Sequence, residues 1–263
     1  MNNVLKIAVV SAVFLLTTLA VSGQSAAKIE NELMVHVRAI KKYSAYGPIR
    51  DYERLAKENT ALKKKLLRYA KRPATLKYGF PKLGKAIFMS TSSDGKFRIY
   101  TWDTEEGGTM HSFESVYQYV GTGGRVFSKS FPTEDGDAGA FVTDIFTLST
   151  SSGPVYLARF SAILATAHSY QSIDLFKIRG DSLDNRVKLI KTNEGLTNTL
   201  GFEYNFFSVV DRKERPLKLI LYDAATRSIR LPVVIVDDKD PLGRVTNRFI
   251  TYRFNGAYFV RVR

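Results

Sequence analysis

The chain of 263 residues contains no cysteine and only eight prolines. Without thiols it can form neither a disulfide framework nor a cysteine-based zinc site. Core-forming residues are plentiful, because 44% of the chain is hydrophobic and 12% is aromatic. That composition excludes an intrinsically disordered chain, which is poor in aromatic and β-branched residues. The sequence therefore predicts a folded protein whose stability comes from packing rather than from cross-links.

Common catalytic motifs are also missing. There is no G-x-S-x-G nucleophile elbow and no phosphate-binding G-x-x-x-x-G-K-[ST] loop. Ser93 and Lys96 match the S-x-x-K spacing of penicillin-recognising enzymes, but they straddle a predicted β-turn instead of opening a helix. The histidines, His36, His111 and His168, are far apart, and none belongs to an H-E-x-x-H pair. These absences favour a non-catalytic protein, and we expect no cofactor.

The N-terminal segment has the pattern of an export signal. Lys6 precedes an unbroken stretch of apolar and small residues from Ile7 to Val21, and more small residues follow. As a helix this stretch would rise about 22 Å, less than the roughly 30 Å hydrocarbon core of a bilayer. We therefore predict a signal peptide over residues 1–23, a periplasmic or secreted protein, and no transmembrane span after signal removal. An uncleaved anchor or a buried core helix is the alternative.

Positive charge is concentrated in the N-terminal third. The formal charge of the chain is +14, and residues 28–85 contribute +11 of it, with 16 Lys/Arg against five Asp/Glu. Residues 86–263 are almost balanced, with 22 basic against 20 acidic side chains. Such an asymmetry predicts a domain boundary. We assign residues 24–80 to a basic helical segment and residues 81–263 to an antiparallel β-domain.

Two amphipathic helices are predicted in the basic segment. The first is indicated by apolar residues at helical spacing, namely Ile29, Leu33, Val37 and Ile40. After a break at Tyr46-Gly47-Pro48, in which Pro48 would open the second helix, a heptad seam runs until Pro73. The seam consists of Tyr52, Leu55, Asn59, Leu62, Leu66 and Tyr69. We predict a helical hairpin that packs on the following domain, with weak self-association through the Tyr52–Tyr69 seam as the alternative.

The second predicted helix and the residues after it also carry a cationic face. Its members are Lys57, Lys63, Lys64, Lys65, Arg68, Lys71 and Arg72. Clustered cations attract polyanions and gain free energy by releasing counterions. For an exported chain the expected partner is an anionic envelope polymer or lipid headgroup, and nucleic acid is not expected. The alternative is a solvated helix face without a partner.

Beyond Pro81 the apolar pattern has the period of two that is typical of β-strands. Ser93-Asp94-Gly95 and Asn255-Gly256 are strong hairpin-turn signals. About a dozen short strands are predicted by this pattern, including Leu200 to Val210 and Leu217 to Tyr222.

Three strand-opening strings, beginning at Lys96, Pro154 and Pro216, recur about 60 residues apart and hint at three successive sheets. The predicted fold class is therefore mainly β. We expect an antiparallel meander, either a two-layer sandwich, which we prefer, or an incomplete propeller-like stack, preceded by an N-terminal helical hairpin.

One string contains candidate catalytic residues. His111 follows Gly107-Gly108 and lies near three carboxylates in the sequence, Asp103, Glu105 and Glu106. A histidine beside carboxylates can transfer protons. The simpler interpretation is a glycine-containing hairpin loop followed by a partly buried histidine.

Acidic turns and aromatic strand residues offer two further candidates. Hard oxygen ligands on a turn suit calcium, and the candidate ligands are Asp135, Asp137, Asp237, Asp238 and Asp240. Neither turn has EF-hand spacing, so no metal site is predicted in preference to ordinary surface turns. Tyr100 and Trp102 share one face of a predicted strand, which indicates a core face or, alternatively, a platform for sugar rings.

These observations predict an exported cell-envelope protein that acts as a non-catalytic binding or interaction module. Its cationic helix face would contact the anionic partner. The alternative is a secreted hydrolase that acts on a glycan or wall polymer through the acidic residues near His111.

Overall fold

A computed structural model describes residues 24–132 and 136–262. The predicted signal peptide lies outside these residues. The described part begins with helices α1 (Ala26–Tyr43), α2 (Tyr52–Tyr69) and α3 (Pro73–Lys77). The strands are β1 (Phe88–Thr91), β2 (Phe97–Asp103), β3 (Phe113–Val120), β4 (Val126–Lys129), β5 (Phe141–Thr150), β6 (Gly153–Ile163), β7 (His168–Arg179), β8 (Ser182–Asp184), β9 (Ile190–Thr192), β10 (Gly195–Thr197), β11 (Thr199–Asn205), β12 (Leu221–Asp223), β13 (Ser228–Ile235), β14 (Arg244–Phe254) and β15 (Phe259–Val262).

The strands form three sheets. The first sheet is the meander β1-β2-β3-β4, and the central sheet has the order β11-β7-β6-β5, with β8 paired to β7. The third sheet has the order β10-β9-β15-β14-β13-β12. In the described part of the chain every pair is antiparallel apart from β9 with β15. The predicted mainly β, antiparallel fold with an N-terminal helical pair is confirmed.

The sheets and helices stack in four layers because strands of the first and central sheets bury both faces. In β2, Phe97 and Ile99 pack against the central sheet, whereas Tyr100 and Trp102 pack against the helices. A third cluster, which includes Leu157 of β6, joins the central sheet to the third sheet. The β part thus contains three sheets, one more than a two-layer sandwich has. The fully covered Tyr100 and Trp102 also exclude the sugar-binding platform.

Both long helices begin at a capping side chain. The Ser25 hydroxyl accepts from the backbone N–H of Lys28, and Asp51 accepts from the N–H of Arg54 at 3.0 Å. The second helix therefore starts after Asp51, because a side-chain acceptor satisfies its free N–H groups there, and not at Pro48 as predicted. No helix in the described segments combines the length and the apolar character needed to cross a bilayer.

The predicted apolar stripes of the helices face the first sheet. In α1 the stripe from Ile29 to Ile40 is buried, and in α2 the seam is buried from Leu55 to Tyr69. Tyr52 alone in the seam is exposed, at 59%. The predicted hairpin packing is thus what the structure has. The seam from Leu55 to Tyr69 is covered by α1 and the first sheet of the same chain.

Directional polar contacts join the helices to the first sheet and to the segment that leads into it. The buried Glu30 carboxylate accepts from the N–H groups of Lys82 and Leu83 at 2.8 and 2.9 Å. Asn59, the polar member of the seam, accepts from the Trp102 indole at 3.0 Å and donates to the Thr104 carbonyl at 2.9 Å. Because buried polar groups are costly without partners, these bonds fix how the helices sit on the sheet.

The predicted strand from Leu217 to Tyr222 is wrong over most of its length, since β12 contains only Leu221–Asp223. The preceding backbone is held by side chains of the central sheet. Gln171 accepts from the N–H groups of Leu219 and Ile220, both at 2.8 Å, and Arg159 donates to the Ile220 carbonyl. These side chains replace a neighbouring strand as hydrogen-bond partners.

The end of the predicted strand Leu200 to Val210 is also different, because Phe206–Val209 form a 3₁₀ turn. The suggested 60-residue repeat does not coincide with equivalent strands. Lys96 and Pro154 lie at the second strands of their sheets, β2 and β6, whereas Pro216 precedes the first strand of its meander, β12.

Candidate functional site

The predicted cationic face divides into paired and unpaired members. Lys63 Nζ lies 2.8 Å from Glu114 of β3, and Lys65 Nζ lies 3.7 Å from Glu32 of α1. Both are half-buried, with 34% of each side chain exposed. These two lysines therefore take part in contacts within the fold and present less charge to a partner.

Three further cations of α2 and one in the turn that follows it form an exposed stripe. Lys57, Lys64 and Arg68 lie at intervals of seven and four residues, so they share one side of the helix axis, and Lys71 lies two residues beyond the end of α2. All four are exposed, and no described carboxylate lies within 4.0 Å of their nitrogens. Arg68 and the half-buried Arg72 lie over the Tyr69 ring at 4.5 and 5.3 Å. We refer to Lys57, Lys64, Arg68 and Lys71 as the cationic stripe.

The helical layer adds further positive charge around the stripe. Exposed cations of α1 are Lys28, Arg38, Lys41 and Lys42. Its carboxylates are engaged inside the layer: Glu30 is buried, and Glu32 accepts from the Tyr69 hydroxyl and approaches Lys65. Like charges at the outer side of one layer raise the local potential.

The predicted catalytic string is only partly brought together. His111 Nδ1 lies 2.5 Å from Asp103 Oδ2, and the other Asp103 oxygen accepts from the Glu105 N–H at 2.8 Å. Burial and the neighbouring Asp103 carboxylate raise the pKa of Glu105. Glu106 is exposed.

Hydrogen bonds to neighbouring elements hold the loop that precedes His111 in place. The Ala45 N–H donates to the Glu105 carbonyl at 3.2 Å, and the Tyr46 hydroxyl donates to the Gly108 carbonyl. The His111 N–H donates to the Ile163 carbonyl at 3.0 Å. Asp103 and His111 thus help to hold the loop against the helices and the central sheet.

The calcium candidates within the described residues form hydrogen-bonded turns. Asp137 accepts from the Gly139 N–H at 2.8 Å, and Asp237 accepts from the N–H groups of Lys239 and Asp240, both at 3.0 Å. Asp240 also pairs with Arg244. Asp238 is exposed, and Asp135 lies outside the described residues. Across residues 24–132 and 136–262, no three His, Asp or Glu side chains converge as metal ligands.

Between the first and central sheets lies a cavity of about 420 Å³, which we call the inter-sheet cleft. Its apolar wall contains Phe113, Phe131, Phe160 and Leu164, and the phenols of Tyr117 and Tyr170 also line it. At its polar side lie Ser172, Asp174, Asn198 and Thr199, and its charged rim contains Lys63, Glu114 and Asp137. The cleft has the size and the mixed lining of a small-molecule site.

Asp174 gives the cleft its unusual electrostatics. Its Oδ1 accepts from the Thr199 hydroxyl at 2.5 Å, across the β7–β11 pair. Burial raises the pKa of Asp174 to about 6, although hydrogen bonds from Thr199 and Ser172 act in the opposite direction. No described Lys, Arg or His lies within 4.0 Å of its carboxylate. Burial also raises the pKa of Tyr117 and Tyr170, so both phenols remain neutral.

A second cavity, of about 480 Å³, borders the opposite face of the central sheet. Phe160 of β6 lines the cleft and Ser161 lines the second cavity, as alternating side chains of a strand do, and Ala162 borders both spaces. His111 and Arg215 contribute polar groups to the second cavity. Arg215 already donates to the carbonyls of Val210, Arg212 and Glu214.

Sequence reasoning did not single out Asp174. It lies within the predicted strand from Ile173 to Ile178, between the buried Ile173 and Leu175. The signal in the sequence was a charged residue between two apolar ones, on the same strand face as the apolar Phe176, which is buried in the structure. A strand that is apolar on both sides of an aspartate indicates that the aspartate is enclosed.

No family model matches the sequence, and comparisons with curated proteins and with solved structures find no significant relative.

Proposed function

We propose that this chain is an exported, non-catalytic binding module of the bacterial cell envelope that docks on anionic lipid headgroups through the cationic stripe. The observation that supports the proposal is the exposure of Lys57, Lys64 and Arg68 on one side of α2, with Lys71 in the turn after it, without carboxylate partners among the described residues. The apolar side of the same helix is used inside the fold. The outward side of α2 therefore offers mainly charge to a partner.

Lipid phosphates match this surface because each lysine or arginine near an anionic bilayer contributes about 1 kcal/mol to binding. The four cations extend over about three helical turns of α2 and the turn after it, and each can reach the headgroup plane without insertion of the chain. Such binding weakens steeply with salt, because counterions screen exposed charges beyond a Debye length.

The test uses residues 24–263 and vesicles of phosphatidylcholine with or without 30% phosphatidylglycerol, with binding measured by co-sedimentation. We expect binding only to the anionic vesicles, and we expect the triple variant Lys57→Glu, Lys64→Glu, Arg68→Glu to lose at least about 100-fold in affinity. Reversal of Lys63 or Lys65 is less informative, since it would also break their pairs with Glu114 and Glu32.

The matched control is Lys188→Glu, Lys191→Glu, Lys239→Glu, which changes the net charge equally at exposed positions outside the helices. Equal losses in both triple variants would mean that net charge, and not the stripe, drives binding. Binding that is unchanged between 50 and 300 mM salt would contradict the proposal.

The hydrolase alternative has one supporting observation, the 2.5 Å contact between Asp103 and His111 beside the second cavity. A histidine oriented by a carboxylate is a common general base. Release of reducing sugars from a wall polymer, lost in His111→Ala, would favour this alternative. The absence of turnover in the unmodified protein would leave the dyad as a loop contact.

A further inference from the structure

We propose that the inter-sheet cleft binds a small primary amine with an apolar body, whose ammonium group pairs with the Asp174 carboxylate. This site is separate from the cationic stripe and does not depend on the docking function. Its basis is a cavity of suitable size that combines an aromatic wall with a carboxylate, Asp174, that has no described counter-ion.

The contacts of Asp174 define where the ammonium group would lie. One carboxylate oxygen, Oδ1, accepts from Thr199, a neutral hydroxyl. The side chain borders the cleft rather than a protein cation. A partly buried carboxylate is disfavoured without a counter-ion, so an ammonium group in the cleft would supply what the fold does not.

Charge around the cleft favours the same chemistry. Among the described residues, the charged groups that line it are the Lys63 ammonium and the carboxylates of Glu114, Asp137 and Asp174. Lys63 is paired with Glu114 at 2.8 Å, which leaves Asp137 at the rim and Asp174 within as the unpaired charges. The lining thus complements a cation, despite the positive charge of the whole chain.

The apolar body of the ligand has a matching wall. Phe113, Phe131 and Phe160 present rings to the cleft, and the neutral phenols of Tyr117 and Tyr170 lie on the side of Asp174. Aromatic faces attract ammonium groups as well as hydrocarbon. A cavity of about 420 Å³ accommodates a small arylalkylamine.

The experiment compares 2-phenylethylamine with its neutral counterpart 2-phenylethanol and with methyl glucoside, by calorimetry on residues 24–263. We expect the amine to bind the unmodified protein and the alcohol to bind at least tenfold more weakly. Asp174→Asn, which keeps an acceptor for Thr199, should weaken the amine at least tenfold and leave the alcohol unchanged. Asp211→Asn removes an exposed carboxylate elsewhere and should leave both unchanged.

The pH dependence gives a second readout. The amine stays protonated between pH 5 and 7, whereas Asp174 must lose its proton to pair with it. With a pKa of about 6, Asp174 is about one-tenth ionised at pH 5 and about nine-tenths ionised at pH 7. Amine affinity should therefore be about tenfold lower at pH 5, and this change should vanish in Asp174→Asn although Lys63, Glu114, Asp137, Tyr117 and Tyr170 remain.

Three outcomes would overturn the proposal: no amine binding to the unmodified protein, equal binding of amine and alcohol, or amine binding that survives Asp174→Asn. Preferential binding of methyl glucoside would identify the cleft as a sugar site instead. Ala140→Leu, which adds bulk to the lining, tests the location independently and should abolish amine binding without preventing folding.

Discussion

The two faces of the central sheet each carry one partly enclosed aspartate, and their surroundings differ in charge. Asp144 of β5 faces the third sheet and pairs with the buried Arg159 of β6. Asp174 of β7 faces the first sheet, and its donors among the described residues are the hydroxyls of Thr199 and Ser172. Burial raises the pKa of both carboxyls, but the Arg159 guanidinium outweighs burial at Asp144 and leaves its pKa below the usual value. The same residue type is thus a structural ion on one face and an unpaired acid on the other.

The two faces of the central sheet also differ in how they contact the neighbouring sheets. On the side of Asp144, Arg159 and Gln171 bind the backbone that precedes β12, so polar side chains join two layers. On the side of Asp174 the layers meet through aromatic residues such as Phe97 and Tyr156, 5.1 Å apart, and leave the cleft beyond them. Both faces leave a cavity, but on the side of Asp144 the charged and amide side chains are bonded within the fold, whereas Asp174 borders the cleft without a described counter-ion.

The largest expected effect on stability comes from the face of the central sheet that carries the Asp144–Arg159 ion pair. Asp144→Asn removes the counter-ion of Arg159, which is only 2% exposed, and should lower the free energy of unfolding by about 3–5 kcal/mol. Urea denaturation at pH 7 measures it. The control is Asp184→Asn, whose partner Arg179 is exposed, and it should cost less than about 1 kcal/mol. Equal effects of the two substitutions would remove the distinction between a buried and a surface pair.

Gln171→Leu tests the same face without a change in charge. The substitution leaves the N–H groups of Leu219 and Ile220 without their acceptor, at an expected cost of about 2–4 kcal/mol. Hydrogen exchange should show faster exchange at these two amides than elsewhere in the core. Unchanged protection of both amides would mean that Gln171 does not hold this segment.

The smallest expected effect on stability comes from substitution of Asp174 in the cleft, which should raise the free energy of unfolding rather than lower it. The pKa of Asp174 is about 6 in the folded protein and about 3.8 in the unfolded chain. Between these values the folded state binds more protons than the unfolded state, so stability falls as pH rises, by about 2–3 kcal/mol. Asp174→Asn should remove this fall and make the protein more stable than the unmodified chain at pH 8.

Denaturation midpoints at pH 4, 6 and 8 check this expectation, with Asp211→Asn as the control for the loss of one carboxylate. A variant that is less stable than the unmodified protein at pH 8 would show that the Asp174 charge is stabilised within the fold. A stability gain would support the view that Asp174 is retained for binding, because functional sites commonly cost stability.

Much of the fold could be predicted from the sequence because its signals are local. The Asp94-Gly95 and Asn255-Gly256 turns lie at the predicted hairpins, and the apolar stripe of α2 faces the core as expected. The segment before β12 could not be predicted, since Leu217 to Ile220 have the apolar pattern of a strand but bond to side chains from β6 and β7.

The candidate sites also differ in how far the sequence could predict them. The cationic face was evident from the spacing of lysines and arginines, but the sequence could not show that Lys63 and Lys65 reach Glu114 and Glu32. Asp174 was not predicted at all. Its partners in the cleft come from β3, β6 and β11, and no local pattern links these strands.

By itself the sequence determined the kind of each main segment and the location of the positive charge, because helix and strand periodicity, turn residues and charge act over a few neighbouring positions. Only the tertiary structure decided which aspartate gains a counter-ion and which borders a cavity. Strand pairing sets those surroundings by joining residues distant along the chain, such as Asp174 with Thr199, and the pleat then assigns each side chain to one face.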